Sequence, residues 1–114
     1  MINTKIDLKD LNKFSTDTLV EHLAIEYTEL GENFLCGKMP VDKRTKQPMG
    51  LLHGGASVAL AETLGSCAAA LCINLDEEYA VGLEINANHI KSATSGFVYG
   101  RAEAMHIGKK THVW

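Results

Sequence analysis

At 114 residues, 46% hydrophobic and 22% charged, the chain is long enough for one domain, 1–114, with a packed core and too short for a second. A formal net charge of −3 gives no general electrostatic pull toward nucleic acid or an anionic membrane, so neither is expected as a partner. Cys36, Cys67 and Cys72 are odd in number and match no zinc spacing, which suits free thiols in a reducing compartment. The opening stretch MINTKIDLKDLNKF has no apolar segment of the secretory type, and the chain is expected to be cytoplasmic.

Residues 1–22 predict a helical lead-in: Leu8, Leu11 and Phe14 recur at three-residue intervals, and Thr18-x-x-Glu21 has the form of a capping box. From Leu23 the period becomes two. Leu23, Ile25 and Tyr27 alternate with Glu26 and Thr28, LGEN makes a turn, and Leu35, Gly37, Met39 and Val41 alternate with Phe34, Cys36 and Lys38, which predicts a hairpin. DKRTKQPMG reads as a loop, and LLHGGASVALAETLGSCAAALC as one long helix ending near Cys72. After the polar NLDEE, the stretches YAVGLEINANHI and SGFVYGRAEAMHI both alternate as strands, GKK turns, and THVW opens a further strand. The order predicts an α+β fold with an antiparallel sheet curled around a helix rich in Ala and Gly. Ending at Trp114 within a strand leaves an unfinished sheet edge, so one or more C-terminal strands are expected to be missing or supplied by another chain.

The long helix carries a single charge, Glu62. An unpaired buried carboxylate is costly, so Glu62 is expected to be paired, neutral or exposed in a cleft. Gly55 at i−7 and Ser66 at i+4 share its helix face. The unpaired N–H groups at the Gly54-Gly55 helix start lie on the positive end of the dipole and could hold an oxyanion. Residues 54–73 approach the length of a bilayer span. Their Ala and Gly content, the central Glu62 and the lack of flanking basic residues argue against a membrane role.

The segments MPVDKRTKQPMGLLHGGASVALAETLGS and VGLEINANH, with the core Q-P-x-G-x-x-H-G-G-x-x-x-x-x-x-E, strongly resemble the hotdog-fold acyl-CoA thioesterases. The nearest resemblance is to the branch acting on 1,4-dihydroxy-2-naphthoyl-CoA and related aryl thioesters, and it covers the chain from Leu23 onward. It implies Glu62 as general base or nucleophile and the Gly54 N–H as donor to the thioester oxygen. Gln47 and His53 are implied to orient the thioester or water, with Ser66 one turn beyond the carboxylate. It further implies that Gly55, His89, Lys91 and Ser92, with Lys109 and Lys110, meet substrate or the CoA nucleotide. The partner copy of a homodimer or homotetramer is implied to supply Gln47 and His53 opposite Glu62. No cofactor or metal is implied, and the five histidines show no ligand spacing.

Three other readings compete with this one. A hotdog dehydratase needs a different histidine–carboxylate motif. GASVA lacks the last glycine of a nucleophile elbow, and the chain is too short for that fold. A non-catalytic acyl-CoA sensor or scaffold on the same fold is the remaining alternative; it gives Glu62 no task.

Overall fold

The computed structural model describes residues 1–114. Asp7 caps helix α1 (Leu8–Lys13) by accepting from the Lys9 N–H at 2.7 Å, and α2 (Leu19–His22) follows. The predicted capping box does not close. Thr18 stands at the N-cap of α2, but its hydroxyl donates to the Ser15 carbonyl. Ala24, with φ of 54°, turns the chain into strand β1 (Glu26–Leu30). Asn12 then ties the lead-in to that strand, accepting from the Tyr27 N–H at 2.9 Å and donating to the Tyr27 carbonyl at 3.2 Å. One side-chain amide thus stands in for a neighbouring strand at the sheet edge.

Strand β1 pairs antiparallel with β2 (Phe34–Pro40), and β2 with β3 (Phe97–Glu103), in the order β1-β2-β3. The alternation seen in the sequence sets the inward face: Leu35 and Met39 are fully buried, and Phe34, Cys36 and Lys38 face outward with partial exposure. Helix α3 (Gly54–Ala70) lies across this face with Ala56, Leu60, Leu64 and Ala68 buried along one stripe. Only Gly55 and Ala61 of the helix are exposed, as an all-round apolar composition requires. Tyr27 and Cys67 meet in this core, and burial pushes both the phenol and the thiol up from their ordinary values.

Leu64 occupies a hollow that two glycines make. Gly37 and Gly100 face each other across β2 and β3, and a Cβ on either would lie 2.8 Å or 2.6 Å from a Leu64 methyl. Leu64→Ala is therefore expected to lower stability by about 3 kcal/mol, because neither glycine can move in to fill the void. Denaturant titration with an unchanged slope would register the loss.

Two sequence expectations need correction. The stretch around Val81–His89 does not form a sheet strand: no backbone N–H or carbonyl from 79 to 92 is paired within the chain. Its alternation prepares an extended strand, but a ladder needs a neighbour about 4.8 Å away, and none lies there. The segment lies across α3 instead, with Gly82 over Glu62 and His89 over Gly54. The final stretch also does not extend the main sheet. Strand β5 (His112–Val113) pairs only with β4 (His106–Ile107), in a separate two-stranded ladder.

Candidate active site

The loop before α3 is organised by short side chains. The Asp42 carboxylate accepts from the Arg44 N–H at 2.9 Å and pairs with its guanidinium. Thr45, almost fully buried, donates to the Pro40 carbonyl at 2.7 Å and accepts from the Asp42 N–H at 3.1 Å. The His53 N–H then reaches the Thr45 carbonyl at 2.8 Å, closing the loop onto the helix start. Gln47 lies within this loop, its side-chain oxygen turned back to accept from the Met49 N–H, which leaves its NH₂ group free to donate elsewhere.

The Arg44 contacts hold the Asp42 carboxyl down at about 2, below its ordinary 3.8. A pKa lowered by folding contributes stability above the unfolded value, and that contribution is lost as pH falls toward the folded one. Asp42→Asn is therefore expected to flatten the acid side of the melting-temperature profile between pH 4 and pH 2. Melting curves across that window check it.

His53 is the N-cap of α3. Its Nδ1 accepts from the Gly55 N–H at 2.8 Å, so a neutral imidazole carries its proton on Nε2. The two glycine N–H groups are thus not equivalent, contrary to the expectation of a free pair. That of Gly55 is used by the cap, and that of Gly54 has no partner in the chain. His53→Ala is expected to cost about 1 kcal/mol of stability through the lost cap. His53→Asn should keep most of that stability while removing the Nε2–H, and chemical denaturation of the two variants distinguishes them.

Glu62 lies one helix stretch away. Ser66 donates to its Oε1 at 2.9 Å, the contact that the i, i+4 spacing predicts. Both residues line a cleft of about 1250 Å³ beside α3 that also takes in Gly82, Arg101, Lys109 and Lys110. Glu62 is the only charge on α3, is partly exposed, and no salt bridge neutralises it.

The predicted site residues fall into two groups. Gln47, His53, Gly54 and Gly55 gather at the helix start. His89 packs there too, since a Cβ on Gly54 would lie 2.9 Å from its Nε2. Lys91 and Ser92 follow, exposed, beside the bond from the Leu52 N–H to the Ala93 carbonyl. Glu62, Ser66, Lys109 and Lys110 form the second group at the cleft. Glu62 lies eight residue steps along the helix from Gly54, about 12 Å of rise, so one chain does not bring the two groups together. Nowhere do three or more His, Cys, Asp or Glu side chains cluster as metal ligands, and no helix is long and apolar enough to cross a membrane.

The sequence did not single out Gly82, which lies directly on the Glu62 carboxylate. A lone glycine inside an alternating run was the available signal, because such a glycine often marks a close backbone approach.

Residues 49–114 match the family model described as the thioesterase superfamily. The proofreading thioesterase EntH of Cronobacter turicensis is 52% identical over 107 residues, 94% of this chain and 77% of that protein. The 1,4-dihydroxy-2-naphthoyl-CoA hydrolase of Escherichia coli is 50% identical over 110 residues, 96% of this chain and 80% of that protein. The crystal structure of a mutant thioesterase from Pseudomonas aeruginosa superposes with a TM-score of 0.94 at 45% identity, covering 97% of this chain and 80% of that one. A main sheet laid against one long helix, a carboxylate held at a cleft and these likenesses agree: the chain belongs to the thioesterase superfamily and carries its hotdog fold.

Proposed function

We propose that this thioesterase hydrolyses an acyl-CoA, with aryl-CoA esters such as 1,4-dihydroxy-2-naphthoyl-CoA as its favoured substrates, to the free acid and CoA. The observation that carries the reading is the Glu62 carboxylate, unneutralised and fixed by Ser66 at the wall of a cleft. Glu62 takes a proton from water as its oxygen attacks the thioester carbonyl, or attacks first and is released by water. The unpaired Gly54 N–H, at the positive end of α3, donates to the oxygen that gains charge. Gln47 and the Nε2–H of His53 orient the ester or the water. His89, Lys91, Ser92, Lys109 and Lys110 supply polar and cationic groups for the CoA nucleotide and phosphates.

About 12 Å of helix between Gly54 and Glu62 is too far for both to act on one carbonyl. A homodimer or homotetramer in which two copies of α3 face each other resolves this, with Glu62 of one subunit opposite Gln47, His53 and Gly54 of the next. The compartment that fits this chemistry is the cytoplasm, and the pathway that uses an aryl-CoA of the naphthoyl type is quinone synthesis.

Thiol release from a panel of acyl- and aryl-CoA esters tests the reading. Fastest turnover on an aryl ester is the expected result. Turnover confined to aliphatic esters would overturn the substrate class. Tight binding of every ester with no thiol release would instead identify an acyl-CoA sensor.

A further inference from the structure

Gly82 is glycine for a reason its own backbone does not supply. Only Gly50 and Gly96 among the glycines have φ in the left-handed region, so the Gly82 backbone accepts any L-residue. The residue is exposed, and, its chain neighbours aside, the three atoms nearest its missing Cβ all belong to Glu62. That Cβ would overlap Oε1 and lie 3.3 Å from Cδ and 3.7 Å from Oε2. Oε1 is also the oxygen that accepts from Ser66 at 2.9 Å.

We propose that Gly82 is a positioning residue for Glu62: the space left by its missing side chain admits Oε1, the Ser66 hydroxyl pins it there, and Oε2 is left as the oxygen that reacts. Water gives its proton to Oε2 as its oxygen bonds to the thioester carbonyl carbon. The C–S bond then breaks with its electron pair on sulfur, and the same proton passes from Oε2 to the departing thiolate. With Oε1 already engaged, the carboxylate cannot rotate and present either oxygen at random, which keeps it in one attack geometry.

This inference rests on the proposed thioesterase role of Glu62, and its test separates the two. Gly82→Ala is expected to lower kcat on a CoA ester by about tenfold to a hundredfold with KM nearly unchanged, because it displaces a carboxylate that acts in the transition state. In a Ser66→Ala background the same change should cost less than about threefold, since the carboxylate is already unpinned. The ¹³C carboxyl resonance of Glu62, assigned by its loss in Glu62→Gln, should shift in Gly82→Ala whether or not any ester is turned over. Equal losses of kcat in both backgrounds would overturn the proposal, as would an unmoved resonance. If the parent hydrolyses no CoA ester, the proposed function fails and the resonance alone decides the seating of Oε1. If Gly82→Ala fails to fold, Glu62→Asp, which retracts the carboxylate by one methylene, must restore folding; without that rescue the proposal falls.

Discussion

Glu62→Gln is expected to lower kcat for thioester hydrolysis by about a hundredfold or more while CoA esters still bind. Glutamine has nearly the same shape, and its side-chain oxygen can still accept from the Ser66 hydroxyl that reaches Oε1 at 2.9 Å. What disappears is the ability to take a proton or to attack as a carboxylate. Because Glu62 is partly exposed and forms no salt bridge, the exchange should leave stability within about 0.5 kcal/mol. Thiol release and calorimetric titration with a non-hydrolysable CoA thioether read the two quantities separately. A variant that keeps a tenth or more of parental turnover would remove Glu62 from the chemistry. Loss of binding along with turnover would make it a ligand contact instead.

Chains that each lack one half of the site should repair each other. Glu62→Gln and Gln47→Ala are both expected to be nearly inactive alone, since each damages every composite site of a symmetric assembly. If the proposed assembly is a dimer and the chains are unfolded together and refolded as a mixture, half of the dimers will carry one chain of each kind. One of the two sites in such a dimer then has both its Glu62 and its Gln47 intact. Activity should return to about a quarter of the parental value. A mixture no more active than its components would show that each chain works alone, and the separation of the helix start from Glu62 would then need closing within one subunit. Native mass spectrometry of the same mixture verifies that the chains have exchanged.

Much of this architecture was legible because it depends on local period. Leu35 and Met39 alternate with outward residues, and the buried stripe from Ala56 to Ala68 follows the helical repeat, so the hairpin and the long helix could be read directly. The pairing of Glu62 with Ser66 was equally accessible, because i, i+4 neighbours meet on any helix. What could not be read depends on partners distant in sequence. Alternation from Tyr79 onward indicates readiness for a ladder but not whether a neighbouring strand is present, and here none is. The contact of Gly82 with Glu62 links residues twenty apart through the path of an unpaired segment. At the start of α3, histidine is not among the usual N-caps, so the capture of the Gly55 N–H by His53 had no compositional signal.

The hollow beneath Leu64 also sets a bearing. Glu62 precedes Leu64 by two residues on α3, so the angle at which the carboxylate faces the cleft is fixed by where that leucine settles. A slip of one residue would turn the helix by about 100° and advance it about 1.5 Å. Thr63 or Gly65 would then come over the gap between Gly37 and Gly100, and neither has a branched apolar end to fill it. The helix is keyed like a shaft in a slotted hub. Two absent side chains in the sheet index the direction of the one charge that the helix carries.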